Sequence, residues 1–404
     1  MTTRRSILKT MAAAGVLSVF DAPVGFAFAS VPGDRRLVVV ILRGALDGLA
    51  AVPPYGDKDY SSVRGSLTLT TDGTTPLHDM DGFFGLHPAL TNVKTMYDAK
   101  ELAVFHNICS PYRDRSHFDG QNVLETGATG PHLLQDGWLN RALKPMGMTD
   151  GTKALAIAQT PPLLLSGPAQ ASSWMPEVLP APDEAFLDRV RLLYARDPVL
   201  SASLNNAMSL QRQSQSAMDD TSQKKPGMGN AYGGNLMPLF TGAGKLLAAD
   251  DGPRVAVLDA GGWDTHFNEG AGDGQLARRL QALDQGLDAL KTALGPVWQK
   301  TAVVMATEFG RTVKPNGSNG TDHGTGGAAF LLGGAVAGGK VHADWTGLTT
   351  AALQDGRDQP ARTDLRALFK GVLADHMGVA NASLSAQVFP DSGGATPIKG
   401  LIRA

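Results

Sequence analysis

Acidic and imidazole side chains directly follow apolar segments at several places in the 404-residue chain. Asp264 and His266 come after the apolar run VAVLDA, in the sequence GGWDTH. Residues two positions apart in an extended turn can face the same side, so both could bind one ion, unless they only bond nearby backbone. His323, in TDHGTGG, would complete a nitrogen-rich site, and Asp322 beside it is expected to orient its ring. Imidazoles with a carboxylate are the ligands expected for a divalent metal such as zinc, with manganese as the alternative.

Two further acids follow apolar runs in the same way. Asp47 comes after RLVVVILRGAL, and Glu308 comes after TAVVMAT. We expect these two carboxylates beside a second, oxygen-coordinated metal, because two neighbouring ions can hold the attacking and leaving oxygens of a displacement. Arg311 follows Glu308 closely and could bind anionic substrate oxygens as a fork. An ion pair with Glu308 is the alternative role for Arg311.

The segment CSPYRDRSHFD, residues 109–119, offers a candidate nucleophile between a predicted strand and a predicted helix. Ser116 would stand at the helix N-terminus, where the helix dipole favours an anionic oxygen, and capping that helix is its alternative role. His117 could be a metal ligand, an acid–base group or a polar residue of the helix start. Cys109 opens C-x-P-x-R, the core sequence of cysteines that become formylglycine in sulfatases, although a small residue at a strand end is the simpler interpretation.

Strands that alternate with helices predict an α/β fold with a doubly wound, mostly parallel sheet and helices on both faces. The predicted strands span residues 37–42, 67–70, 102–108, 155–158, 254–258, 301–306 and 328–332. The main predicted helices span residues 86–100, 118–126, 183–215, 236–249, 275–294 and 365–377. Because ligands of open α/β sheets lie at the carboxyl ends of the strands, the candidate residues are expected to gather at one edge.

The first 29 residues have the features of an export signal. TRRSILK is a twin-arginine pattern, a weakly apolar stretch follows it, and AFA ends just before Ser30. We expect export through the twin-arginine translocation machinery to the periplasm or the cell exterior, with residues 30–404 as a single domain. A membrane anchor is the alternative, but Asp21 and Pro23 interrupt the apolar stretch and no stable anchor is expected. Within the domain, residues 160–250 are predicted to form a helical cap insertion over the site.

The composition argues against one class of partner. Lysine and arginine number 36 against 38 acidic residues, which gives a net charge of −2, and no basic run is present. Nucleic acid is therefore not expected as a partner. Cys109 is the only cysteine, so an internal disulfide is excluded.

Taken together, these segments resemble the DUF1501 family of exported bacterial proteins. The matching stretches are LRGALDGL, LHPAL, SPYRDRSHFDGQNVLETG, GGWDTH, TEFGRT and TDHGTGG. That family in turn is similar to the alkaline phosphatase/sulfatase superfamily, whose members use an α/β sheet and usually two metals to transfer phosphoryl or sulfuryl groups through a side-chain nucleophile.

The resemblance implies roles for individual residues. Ser116 would be the nucleophile, and Asp47 would be the first acidic ligand. One metal would be held by Asp264, His266 and His323. Glu308 stands where many members have an aspartate followed by histidine, but Phe309 follows it here. The second site therefore lacks a nitrogen ligand, which favours magnesium, manganese or calcium at that position.

The leading hypothesis is a periplasmic metal-dependent hydrolase of phosphate or sulfate esters, acting on a small-molecule or glycan ester. Ser116 would attack, the metals would stabilise the developing charge, and Arg311 or Arg113 would hold the anion. A formylglycine-type sulfatase that uses Cys109 is the alternative within enzymes. A catalytically inert, exported binding or assembly protein on the same scaffold is the alternative outside them, since a fold does not determine a function.

Overall fold

The computed structural model describes residues 34–176, 184–218 and 236–403. The strands within these ranges are β1 (Arg36–Arg43), β2 (His78–Asp79), β3 (Gly85–Leu86), β4 (Leu102–Cys109), β5 (Asp150–Ile157), β6 (Gln170–Trp174), β7 (Val255–Gly261), β8 (Thr301–Ala306), β9 (Gly327–Leu332), β10 (Lys340–Ala343) and β11 (Thr363–Asp364). The α-helices are α1 (Gly48–Ala51), α2 (Tyr60–Arg64), α3 (Thr91–Asp98), α4 (His117–Thr126), α5 (Trp138–Leu143), α6 (Glu184–Tyr194), α7 (Pro198–Met218), α8 (Met237–Ala248), α9 (Gln275–Leu294), α10 (Leu365–Asp375) and α11 (Asn381–Ser383). Short 3₁₀ or π turns span Gly65–Leu67, Leu163–Leu165, Gly295–Lys300, Thr350–Ala352 and Leu384–Val388.

One large sheet runs through the molecule in the order β10-β4-β9-β8-β1-β7-β5-β6, with β11 beside β4. Strand β9 is antiparallel to both of its neighbours, β4 and β8. The other pairings in this sheet are parallel. The predicted mostly parallel α/β sheet is therefore confirmed. Its single reversed strand brings the start of β9 to the edge where the parallel strands end.

Strand β1 shows why the sheet is covered on both faces. Its sequence RLVVVILR is rich in β-branched residues and buried along nearly its whole length. Val38, Val40 and Leu42 pack into a core with side chains of α3, α8 and α9. The alternate residues of the strand pack on the opposite face with side chains of α5 and α10. Burial of each such side chain contributes about 2 kcal/mol. Because helices pack on both sides of β1, the predicted helices on both faces are confirmed.

Most predicted elements are found near their predicted bounds, and two predictions are wrong. Residues 67–70 do not form a strand, because the chain turns through Gly65–Leu67 there. The single helix predicted over residues 183–215 is divided into α6 and α7. Asp197 accepts hydrogen bonds from the backbone of Val199 and Leu200 and therefore caps a new helix that starts at Pro198.

The predicted signal and cap regions are only partly within the described residues. Residues 1–29 lie outside them. Among the described residues, no helix combines the length and the apolar character needed to cross a membrane. Within residues 160–250, β6 pairs with β5 in the main sheet, and α8 packs against α9 in the core. Of the described helices in this segment, α6 and α7 are the two left as candidates for a cap, and that role stays a prediction.

Candidate metal centre

Four segments deliver candidate side chains to one edge of the sheet. His117 is the first residue of α4 and follows the loop after β4. Asp264 and His266 follow β7, and Glu308 follows β8. His323 precedes β9, and the reversed direction of that strand places it at the same edge. The sheet topology thus brings these residues, which are distant in sequence, to one edge of the sheet, as predicted.

Close approach of these loops depends on glycines. Gly44 has a positive φ of 117°, and a Cβ there would lie 2.7 Å from the backbone nitrogen of Asp264. A Cβ at Gly320 would lie 2.3 Å from the carbonyl carbon of His266. A side chain at either position would therefore push a ligand-bearing loop away.

Three imidazoles and one carboxylate converge at this edge. The Nε2 atom of His323 lies 2.9 Å from Nε2 of His266 and 3.3 Å from Oδ1 of Asp264. His266 Nε2 is 3.1 Å from the same Oδ1 atom. His117 Nε2 is 3.4 Å from Asp264 Oδ2. One donor atom each from His117, Asp264 and His323 lie within 4.8 Å of one another. The structure thus brings the predicted Asp264, His266 and His323 together and adds His117.

The far side of each imidazole ring has its own hydrogen-bond acceptor. The Nδ1 contacts are His117 to Glu308 Oε1 at 2.8 Å, His266 to Asp322 Oδ1 at 3.2 Å, and His323 to the Arg115 carbonyl at 2.8 Å. An acceptor there holds the proton on Nδ1 and leaves the Nε2 lone pair free for a metal. Asp322 was expected to orient His323, but it contacts His266 instead.

The centre passes a simple test for a metal site. His117 Nε2 is buried and has no hydrogen-bond partner, because its 3.4 Å approach to Asp264 does not have hydrogen-bond geometry. A buried, unpartnered nitrogen that lies beside the His323 ring and the Asp264 carboxylate is a donor arrangement expected for a metal ion. Three nitrogens and one oxygen fit zinc and also manganese.

Charge at the centre is set by buried partners. The hydrogen bond from His117 to Glu308 raises the pKa of His117, whereas burial lowers the pKa of His323. Burial alone would raise the pKa of Glu308, but hydrogen bonds from His117 and Gln121 outweigh it and lower that pKa. Burial also opposes ionisation of Asp264, but the charge of Arg311 outweighs it and lowers the pKa. Both carboxyl groups are therefore held in the anionic form.

Arg311 holds Asp264 and does not face a substrate. Its side chain is fully buried, and one Nη2 proton is donated to the Asp264 carboxylate. Its other donors go to the backbone carbonyls of Ala45, Thr321, Trp263 and Gly44. This arrangement does not support the predicted anion-binding fork, because the side chain is fully buried and all three of its nitrogens already donate to Asp264 or to backbone carbonyls. The alternative ion pair with Glu308 is not formed either.

The predicted second metal site is not assembled. Asp47 is 1% exposed, and one of its oxygens caps α1 while the other lies 2.7 Å from Nη2 of Arg64. Glu308 is buried elsewhere, with its oxygens bonded to the backbone of Gly44 and to side chains that include His117. Within the described residues, the group of His117, Asp264 and His323 is the one cluster of three or more potential ligands. The expectation of magnesium, manganese or calcium between Asp47 and Glu308 is therefore corrected.

The loop before α4 places the other candidates. Ser116 is the residue before the helix, but its hydroxyl makes no capping hydrogen bond. Arg113 is exposed and donates through Nη1 to the carbonyls of Ser110 and Tyr112. Cys109 is buried in an apolar cluster, and burial raises the pKa of its thiol to about 11. That environment fits the simpler interpretation of Cys109 as a small buried residue at the end of β4.

Sequence reasoning missed Arg115 and Glu269. Arg115 has a left-handed φ of 62° that directs its carbonyl to His323. Its guanidinium is anchored by Asp358 at 2.6 Å. The RDRSH sequence contains no signal for this role, because the position of Arg115 depends on its contacts with a loop of residues 355–358. Glu269 is buried behind the ligand loops, and no motif singles it out.

Comparison with known proteins identifies the family. Residues 34–389 match the family profile described as "Protein of unknown function (DUF1501)". The chain belongs to the DUF1501 family. No curated protein matches it at a significant level.

Several solved structures of this general architecture are similar to the DUF1501 chain at low identity. A phosphonate monoester hydrolase of Agrobacterium radiobacter has 10% identity and a TM-score of 0.34, over 86% of this chain and 74% of that one. The lipoteichoic acid synthase LtaP from Listeria monocytogenes has 10% identity and a TM-score of 0.37, over 83% and 75%. A mutant of the alkaline phosphatase PafA has 11% identity and a TM-score of 0.33, over 69% and 63%. All three TM-scores are below 0.5, so the proposals below rest on this chain's own side chains.

Proposed function

We propose that this DUF1501 protein is an exported, metal-dependent hydrolase of phosphate or sulfate esters. The observation that carries the proposal is the convergence of three imidazole Nε2 atoms on Asp264, with His117 Nε2 buried and unpartnered. Each ring also has an acceptor on its far side, as metal-binding histidines usually do. The sequence resemblance to the alkaline phosphatase/sulfatase superfamily gives the reaction class.

The ligands proposed for a single ion are His117, Asp264, His266 and His323, with zinc or manganese as the ion. When bound, such an ion would supply a Lewis acid that polarises the ester group and stabilises developing negative charge. Glu308 would hold His117 with Nε2 inward, and Arg311 would hold the Asp264 carboxylate in place.

Ser116 is the proposed nucleophile. It directly precedes the ligand His117, and within the described residues its hydroxyl makes no hydrogen bond that would engage it as a cap. The N-terminus of the ten-residue helix α4 favours an anionic oxygen at this position. The Ser116 oxygen would attack phosphorus or sulfur, the alcohol would leave, and water would then hydrolyse the serine ester.

The substrate is proposed to be a small-molecule or glycan ester in the periplasm or outside the cell. Arg113 remains the candidate for contact with the anionic group, since its other guanidinium nitrogens are on an exposed side chain. Export by the twin-arginine route rests on residues 1–29, which lie outside the described residues.

The test combines metal analysis with an ester panel. Purified protein loaded with zinc or manganese should retain about one ion per chain and hydrolyse a phosphate or sulfate aryl ester. Ser116→Ala should lower kcat at least ~100-fold while the ion stays bound. Ser62→Ala, at an exposed serine of α2, is the matched control. A protein that binds no ion and hydrolyses no ester would disprove the proposal, and full turnover by Ser116→Ala would remove Ser116 from it.

A further inference from the structure

Glu269 joins the two loops that carry three of the proposed ligands. Its side chain is fully buried, and its Oε2 atom accepts hydrogen bonds from Thr265 Oγ1 at 3.0 Å and from Thr321 Oγ1 at 2.6 Å. Thr265 stands between Asp264 and His266, and Thr321 stands two residues before His323. We call this pair of hydrogen bonds the Glu269 bridge. One carboxyl oxygen therefore holds one threonine in each of the two loops that carry the proposed ligands.

Backbone hydrogen bonds pair the same two loops. The Thr321 amide donates to the Thr265 carbonyl at 3.1 Å, and the Glu269 amide donates to the Asn319 carbonyl at 2.9 Å. The Asn268 amide donates to Ser318 at 3.0 Å. These bonds set the loops side by side, and the Glu269 bridge ties them at the end nearest the ligands.

The other side of Glu269 faces a buried ion pair. Arg64 Nη2 lies 2.7 Å from Asp47 Oδ2 and 3.9 Å from Glu269 Oε1. Burial together with the charge of Asp47 raises the pKa of Glu269. Its Oε1 atom is buried without a hydrogen-bond partner, whereas its Oε2 atom accepts from the two threonines. The carboxyl is thus held through Oε2, beside the ion pair of Arg64 and Asp47.

We propose that Glu269 is a positioning residue that sets the separation of the Asp264–His266 loop from the His323 loop, and thereby the affinity and geometry of the metal centre. This inference rests on the proposed function, because it assumes that the centre binds an ion. Its physical basis is that outer hydrogen bonds orient metal ligands, and their loss commonly costs about 10–100-fold in metal affinity.

Cobalt(II) provides a test that does not need turnover, because its visible spectrum reports the coordination geometry. Glu269→Ala should weaken Co²⁺ binding by about 10-fold and change the absorption bands of the bound ion. Glu269→Gln should restore most of the affinity, since its amide oxygen can accept from both threonines. Asp284→Ala is the matched control, because Asp284 is a buried carboxylate that accepts hydrogen bonds from Val93 and Asn92 on α3.

Amide hydrogen exchange of the metal-free protein supplies a second, independent measurement. Glu269→Ala, and the near-isosteric Thr321→Val, should speed exchange at residues 262–270 and 316–324 together while the strands stay protected. Unchanged Co²⁺ affinity and spectrum in Glu269→Ala, or an equal loss in Asp284→Ala, would overturn the proposal. Exchange that rises in one loop only, or throughout the protein, would also overturn it. If the unaltered protein binds no Co²⁺, the proposed function fails, and the exchange result alone then decides whether the Glu269 bridge joins the loops.

Discussion

Two groups of charged side chains lie near strand ends of the same sheet and differ in their access to solvent and in their partners. In the metal centre, the Asp264 side chain is 42% exposed, and His117 Nε2 has no hydrogen-bond partner. In the group of Asp47, Arg64 and Glu269, by contrast, Asp47 is 1% exposed and is paired with a buried arginine. Both groups contain an acid just after a strand, so residue type alone does not distinguish a ligand from a structural anchor. Access to solvent and the presence of a buried counter-ion do distinguish them.

Removal of a proposed ligand is the most direct test of this difference between the two groups. His323→Ala should lower Zn²⁺ or Co²⁺ affinity by about 1000-fold or more, because an inner nitrogen ligand is lost. Isothermal titration or competition with a chelator measures this. His132→Ala is the matched control, since His132 is an exposed histidine that contacts only the neighbourhood of α4. Equal affinity in the His323 and His132 variants would place the ion elsewhere.

Asp47→Asn should act on stability and spare the ion. Removal of this charge leaves Arg64 buried without its counter-ion, which commonly costs about 3–5 kcal/mol in the free energy of unfolding. Urea unfolding measures the loss, and Co²⁺ titration of the folded variant should still show binding. A variant of unchanged stability that no longer binds Co²⁺ would restore Asp47 as a ligand.

Acid should destabilise the protein through a buried histidine outside the metal centre. Burial lowers the pKa of His376 to about 4, and its Nε2 contacts the Arg36 carbonyl. Between about pH 6.5 and 4, the His376 side chain binds a proton in the unfolded chain but stays neutral in the folded chain. This contribution to stability is complete above pH 6.5 and falls by about 3 kcal/mol as the pH drops to 4.

Urea unfolding at several pH values tests this, with His376→Gln as the variant that keeps a side-chain hydrogen-bond donor but does not titrate. The loss of stability between pH 7 and pH 4.5 should be smaller in His376→Gln. The same slope in both proteins would mean that His376 is not responsible.

The residues that orient the imidazoles should show the smallest effects, in the order of their burial. Glu308→Ala should weaken Co²⁺ binding about 10–100-fold, because a buried carboxylate that fixes His117 is lost. Asp322→Ala should weaken it less, since the Asp322 side chain is 54% exposed and lies 3.2 Å from His266. A larger effect at Asp322 would show that burial does not rank these partners.

The apolar runs predicted six strands of the sheet, because residues buried on both faces leave a continuous signal. The short and less buried strands β6, β10 and β11 leave no such signal and were not predicted. The motifs GGWDTH and TDHGTGG also led to three of the proposed ligands, since residues beside strand ends meet at one edge. His117 remained ambiguous beside Ser116, because only the contact with Glu308 shows which ring nitrogen faces inward. The structural roles of Asp47 and Arg311 differ from the predicted ones, because their partners lie on other segments of the chain that no local pattern reveals.

The reversed direction of β9 determines when, during synthesis of the chain, the proposed ligands can come together. His117 comes from the first third of the chain, whereas His323 precedes a strand that must insert between β4 and β8. A nascent chain that has been synthesised only through α9 lacks both that strand and the last imidazole. Binding of the proposed ion by all four ligands therefore requires that β9 has been synthesised, and retention of that ion would report that β9 is in place between β4 and β8.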